Sequence, residues 1–196
     1  MVYKIVMPSP LLILASNSPR RRELLDNVGI GYIPDPADVD ESVLPGEPAE
    51  KYVRRLALAK AETTAARHGS GLVLGADTVV VLDGDILGKP ASAGEAAEML
   101  GRLSGREHVV MTGVALVDAE TGRSAVDVES TRVRMASLSR DEIEMYVATG
   151  EPMDKAGAYG IQGRASVFVE GITGCFFNVV GLPLARLDRM LKNFHP

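Results

Sequence analysis

The sequence predicts an α/β fold around a mixed sheet. Short apolar runs bounded by turn residues recur as strands, helix-capping signatures punctuate the segments between them, and hairpin turns occur beside strand-to-helix crossovers. Hairpins and crossovers in one chain argue for mixed rather than all-parallel pairing. The chain has 196 residues, 46% of them apolar, enough to build the core of one domain. With no internal repeat or linker-like composition shift, a single domain over residues 1–196 is expected.

The elements follow in order. Residues 11–16 (LLILAS) have the character of a buried strand, and Ser18 with Pro19 supplies an N-cap and a first helical position for a helix reaching about Gly29. An acidic, proline-bearing loop follows over residues 34–48. Residues 49–67 have helical composition and stop at Gly69, after which 72–90 holds a buried strand and a hairpin turn at Asp83-Gly84. Ser92 and Glu95 form a capping box for a helix closing near Gly105; Ser139 and Glu142 form a second, for a helix ending at Gly150. Between them, residues 108–118 and 124–136 are apolar-polar strands joined by the turn AETG. ASVFVE (165–170) and CFFNVV (175–180) are expected as two short strands around GITG, with a last helix after Pro183.

Composition excludes several function classes. A net charge of −5 and the absence of tryptophan argue against nucleic acid as the partner, although a local basic cluster can still hold a small anion. The single cysteine, Cys175, cannot form an internal disulfide and suits a reducing cytoplasm as a small packed side chain. The apolar start is not expected to be a secretory signal, because Lys4 interrupts it and Pro8 and Pro10 break it up. No run approaches the ~20 apolar residues of a membrane span, so a soluble protein with no membrane partner is expected.

Three side-chain placements break local rules. Arg20, Arg21 and Arg22 open a helix, where the N-terminal partial charge repels cations unless an anion sits there too. At about 100° per residue, Arg21 points along the face of Leu24, Leu25 and Val28, towards the interior. Arg22 is expected in solvent, Arg20 is left undecided, and a run of solvated charges is an equal alternative for all three. Lys60 continues the apolar stripe of Val53, Leu56 and Ala57; it either snorkels outward or reaches a buried anion. Asp77, followed by Thr78, lies inside the apolar run VLGADTVVVL, where an unpaired carboxylate is costly. A cation, a metal-bound water or a reacting water would partner it, or else backbone or an arginine satisfies it structurally.

Weaker signals surround these. Lys89, in Gly88-Lys89-Pro90, can swing towards the same strand. The glycine-rich run from Asp154 to Gly163 allows close backbone approach to a ligand, and Gln162 offers a donor and an acceptor, though by itself the run reads rather as a plain turn. Walker and GxGxxG loops are absent, His68, His108 and His195 have no metal-ligand spacing, and Ser16 and Ser18 lack a nucleophile context. The histidines are expected to be structural or surface residues, and the serines to bond phosphate or cap the helix. Asp38, Asp40 and Glu41 form an acidic stretch that solvent alone can accommodate.

In this order, Ser16-Asn17-Ser18-Pro19-Arg20-Arg21, Gly75-Ala76-Asp77-Thr78, Gly88-Lys89-Pro90, Asp154 to Gly163 (DKAGAYGIQG) and Val180-Gly181-Leu182-Pro183 resemble the Maf family of nucleoside triphosphate pyrophosphatases. The likeness runs from about residue 11 to the last helix and leaves residues 1–10 as an N-terminal extension. DKAGAYGIQG looks like the branch acting on dTTP and UTP rather than on 7-methylguanosine triphosphate. The resemblance implies an inosine triphosphatase-like α/β fold, a mixed twisted sheet with flanking helices and two lobes around a deep cleft. It implies Asp77 as proton acceptor, Arg20, Thr78 and Gln162 at positions governing substrate choice, and Ser16, Arg21, Lys60 and Lys89 on phosphate. It further implies a divalent metal cation (Mg2+ or Mn2+), for which Glu41, Asp77 and Asp154 are the candidate ligands, as well as a homodimer and a link to cell division. A nucleotide-binding regulator without turnover is the alternative, disfavoured because plain anion binding has no use for the Asp77 carboxylate.

Overall fold

The apolar run at the start of the described chain becomes the strand against which the first unit is assembled. The computed structural model describes residues 12–194; the N-terminal extension, the signal-like start and His195 lie outside them. Strand β1 (Leu12–Leu14) is buried throughout and pairs in parallel with both β2 (Tyr32–Pro34) and β3 (Leu72–Leu82). The remaining strands are β4 (Asp85–Leu87), β5 (Glu107–Asp118), β6 (Ser124–Met135) and β7 (Val169–Thr173). All seven form one sheet in the order β2-β1-β3-β5-β6-β7, with β4 antiparallel to β3 and β7 antiparallel to β6. The expected α/β class with a mixed sheet is therefore the one observed.

The described chain divides into two compact units. The first comprises residues up to Asp77, Thr112–Glu129 and Gly181 onward; the second comprises Thr78–Met111 and Ser130–Val180. In the first, helix α1 (Pro19–Asn27) joins β1 to β2, and helix α2 (Ala49–Ala65) leads into β3. Ala57, Ala61 and Ala65 of α2 bury against Ile13, Val73 and Ala115. Two glycines let this helix lie unusually low on the strands. A Cβ at Gly75 would fall 2.2 Å from the Ala57 carbonyl oxygen, and one at Gly113 2.2 Å from that of Val53. Helix α6 (Leu184–Phe194) closes this unit with Leu187, Leu191 and Phe194 buried along one face.

In the second unit the β3–β4 hairpin turns at Asp83 (φ 54°) and Gly84 (φ 92°), the two left-handed residues a type I′ turn requires. Helix α3 (Ala93–Leu103) is capped by Ser92, whose Oγ accepts the Glu95 N–H at 3.2 Å, while Glu95 reaches back to the Ala91 N–H at 2.7 Å. Helix α4 (Arg140–Val147) has the full reciprocal box between Ser139 and Glu142. Their apolar faces pack with Val133, Met135 and Phe168 into one core. Among the described residues no helix is long and apolar enough to cross a membrane.

Three expectations need correction. Residues 32–34, assigned no element from sequence, form β2: a three-residue strand at the end of the sheet order, where a proline is tolerated. CFFNVV is not a strand; helix α5 (Phe176–Val180) occupies it, with the Cys175 carbonyl accepting the N–H groups of Asn178 (3.1 Å) and Val179 (3.4 Å). The reason is the buried Asn178, whose Nδ2 donates to the Val110 carbonyl (2.9 Å) and Thr131 Oγ1 (3.0 Å), a tertiary demand that overrides the β preference of its neighbours. ASVFVE is half right: residues 164–168 form a 3-10 turn and the strand begins at Val169.

Candidate active site

The chain leaves β1 with the Ala15 N–H still donating to the Leu74 carbonyl, then turns so that Ser18 caps α1 with its Oγ 3.4 Å from the Arg21 N–H. Arg21 faces inward and is buried. Its Nε donates to the Gly181 carbonyl at 2.9 Å and its Nη1 to Ser16 Oγ at 3.0 Å. Burial pulls the guanidinium down from its usual range, and the negative charges of Asp77 and Glu41 oppose that shift. Gly181 thus acquires a role that sequence reading missed, although its motif was noticed. Arg20 is half-buried. Arg22 is not in solvent as expected: it is half-buried, its Nε enclosed without a hydrogen-bond partner among the described residues.

Two residues after Gly75, β3 presents Asp77. Because α2 lies against the backbone at Gly75, its next residues deliver Lys60 directly, with Nζ 2.7 Å from Asp77 Oδ1. Both side chains are about nine-tenths buried. Lys60 therefore reaches a buried anion rather than snorkelling. The same ammonium lies 2.6 Å from Glu41 Oε1. Glu41 is held there because its loop is strapped to α2: the Tyr52 hydroxyl donates to the Glu41 carbonyl at 2.7 Å, and Arg55 donates to the Ser42 carbonyl and to both Glu47 oxygens. Asp38 and Asp40 of the same acidic stretch are exposed. Burial raises the Asp77 carboxyl above the usual carboxylate range, with Lys60 and then Arg21 opposing. Tyr52 is pushed up to about 12, by burial first and then by the Asp77 and Glu41 charges.

Chemically, this is a carboxylate made more basic than usual and kept beside two cations, the combination a proton acceptor near an anionic substrate needs. Glu41 and Asp77, gathered on one ammonium, also make the kind of oxygen-donor pair that Mg2+ uses when substrate phosphates complete its shell. Among the described residues no three His, Cys, Asp or Glu side chains assemble as a metal-binding group.

The other anticipated residues belong to the second unit. Thr78 is half-buried on β3 and Lys89 is exposed. Gly88, next to Lys89, accepts the Gly157 N–H at 3.0 Å, which ties the Gly88-Lys89-Pro90 segment to the glycine-rich run. Asp154 is paired with Lys155 at 2.6 Å. Gln162 is exposed on a tight turn closed by the Gly163 N–H on the Gly160 carbonyl at 3.1 Å. His108 is buried, with Nε2 2.7 Å from the Tyr159 hydroxyl. The packing role of Gly75, named only within its motif, and Gly113 altogether were also missed in the sequence, where a glycine interrupting an apolar strand was the available signal of close backbone approach.

The model of the family described as "Maf-like protein" matches residues 11–194. A Symbiobacterium thermophilum protein named dTTP/UTP pyrophosphatase is 55% identical, the match covering 93% of each chain. Proteins of the same name from Moorella thermoacetica (54% identical, covering 93% of this chain and 94% of that one) and Clostridioides difficile (46%, with the same coverage) are also similar. Among solved structures, that of the Staphylococcus aureus Ham1 protein shares the fold, with a TM-score of 0.54 at 16% identity over 94% of this chain and 99% of that one. With five ordered motifs, a paired Lys60–Asp77 at their centre and a family match over nearly its whole length, the chain belongs to the Maf-like protein family.

Proposed function

We propose that the protein hydrolyses dTTP and UTP, and by extension CTP and modified pyrimidine nucleotides, to the nucleoside monophosphate and pyrophosphate. The observation that carries this reading is the buried Asp77 carboxylate, 2.7 Å from Lys60 and within the field of Arg21. Relatives about half identical and named for this activity support it.

In the proposed reaction Asp77 accepts a proton from the water that attacks the α-phosphorus; the bond from that phosphorus to the α–β bridging oxygen breaks, and pyrophosphate leaves. Ser16, Arg21, Lys60 and Lys89 hold phosphate oxygens, so that fixed positive charge offsets the charge developing on the leaving group, usually the largest contribution to such catalysis. Arg20, Thr78 and Gln162 govern substrate choice. Gln162 can form paired hydrogen bonds with a pyrimidine edge. Bound at Glu41 and Asp77, with Asp154 the further candidate, a divalent cation would neutralise phosphate charge. The protein would act in the cytoplasm as a homodimer, keeping non-canonical nucleotides out of nucleic acid, with the family's link to cell division as a second consequence.

The direct test is pyrophosphate release from UTP, dTTP, CTP, GTP and ATP, each with and without Mg2+ or Mn2+. UTP and dTTP should be turned over fastest, and only with the ion present. Binding without release from any of the five would overturn the enzymatic reading in favour of a regulator.

A further inference from the structure

Gln162 stands on the turn Gly160–Gly163, which lies between 3-10 turns rather than on a helix or strand. A side chain there can discriminate between bases only if the turn itself is held firmly. Glu151 provides the hold. Its Oε1 accepts the Tyr146 hydroxyl at 3.0 Å and its Oε2 accepts the Arg164 N–H at 3.1 Å, immediately after the turn. Its own carbonyl accepts Lys155 Nζ at 2.7 Å. The turn is thus tied to this pair at its C-terminal end, through the Arg164 N–H. Tyr146 is an anchored partner: it is buried on α4, with its ring edge-on to Phe168 at 5.4 Å.

The two glycines are explained by the same contacts. A Cβ at Gly163 would fall 2.1 Å from Glu151 Oε1, and one at Gly160 2.5 Å from Lys155 Cε. Real side chains do not approach so closely, so the turn rests flush on Glu151 and Lys155. The glycine pair thus lets the turn lie directly against these two side chains, beyond any need for close approach to a ligand. We infer that Glu151 is a positioning residue for base selection: its carboxylate, braced by Tyr146, fixes the 160–163 turn and thereby the reach of Gln162. This rests on the reading that Gln162 contacts the base.

The test is a double-mutant cycle read as the ratio of kcat/KM for UTP to that for ATP. Glu151→Ala should lower kcat/KM for UTP about 10-fold or more, mainly through KM, and shrink the ratio, since displacing a contact by about 1 Å can cost as much as 100-fold. Glu151→Gln keeps one carbonyl acceptor and should fall between. In a Gln162→Ala background, adding Glu151→Ala should change the ratio by less than about 2-fold, because the group it positions is already gone. Independent, multiplying effects, or an unchanged ratio in Glu151→Ala while Gln162→Ala shifts it, would overturn the inference. An unchanged ratio in Gln162→Ala would instead remove the base-contact reading and the inference with it. If Glu151→Ala does not fold, Gly163→Ala pushes on the same carboxylate with Glu151 still present, and it must shift the ratio in the same direction for the inference to stand.

Discussion

Lys60 and Asp77 in the first unit, and His108 and Tyr159 in the second, are both buried pairs joined at 2.7 Å, yet burial acts on them under opposite conditions. Around Asp77 it raises the carboxyl's affinity for protons while Lys60 and Arg21 pull the other way, so the acid is held between two strong influences. Around His108 nothing opposes it, and the imidazole is driven down to about 4, with Tyr159 driven up from its ordinary value. His108 Nδ1 is buried with no partner among the described residues. The difference teaches where chemistry can reside. A balanced ionisable group can exchange a proton during a reaction, whereas an unopposed one is simply locked neutral and serves packing.

The most severe way to break this contrast is Asp77→Asn, which makes the first pair uncharged on the acidic side at nearly constant shape. Turnover should fall about 10²- to 10⁴-fold, with KM changed little, as measured by pyrophosphate release alongside a circular dichroism check of folding. An unaltered kcat would remove Asp77 as the proton acceptor. Next in size, Lys60→Met leaves the buried carboxylate without its ammonium and should destabilise the protein by about 3 to 5 kcal/mol in urea unfolding. Most of that loss should return in the Lys60→Met/Asp77→Asn double variant; without recovery, the two side chains are not energetically coupled.

The smallest effect sharpens the other side. An unfolded His108 binds a proton as pH drops below its ordinary value of 6.5, whereas the folded one resists until about 4. The unfolded state therefore holds more protons in that window, and stability declines as pH falls from 6.5 to 4, by about 3 kcal/mol in total. His108→Gln should lose this component, so its urea midpoints at pH 7 and pH 4.5 should lie closer together than those of the natural chain. Equal gaps would mean that His108 titrates normally.

Much of this arrangement was legible residue by residue. Asp83-Gly84 announced the hairpin, Ser139 with Glu142 the start of α4, and the phase of Arg21 against Leu24 and Leu25 its inward direction. Such signals are local, written within four residues of where they act. What escaped depended on distant partners. Strand β2 is too short to show a period, and α5 exists because Asn178 finds Val110 and Thr131. At the candidate site, the cost of burying Asp77 signalled that a partner existed, but not that Lys60 rather than an arginine supplies the 2.7 Å contact. Glu151 gave no sign at all, because its partners surround it only once the glycine-rich run is folded back.

Gly75 has a consequence for anyone trying to toughen this protein. Replacing glycine with alanine in regular structure is a routine route to higher melting temperature, since it removes freedom from the denatured chain. Here the added methyl would wedge between layers that touch at the Ala57 carbonyl, prising the helix away and lengthening the span that the Lys60 amine must bridge. The missing carbon is the gauge that sets the acid–amine gap, so robustness gained by filling it would come out of reactivity.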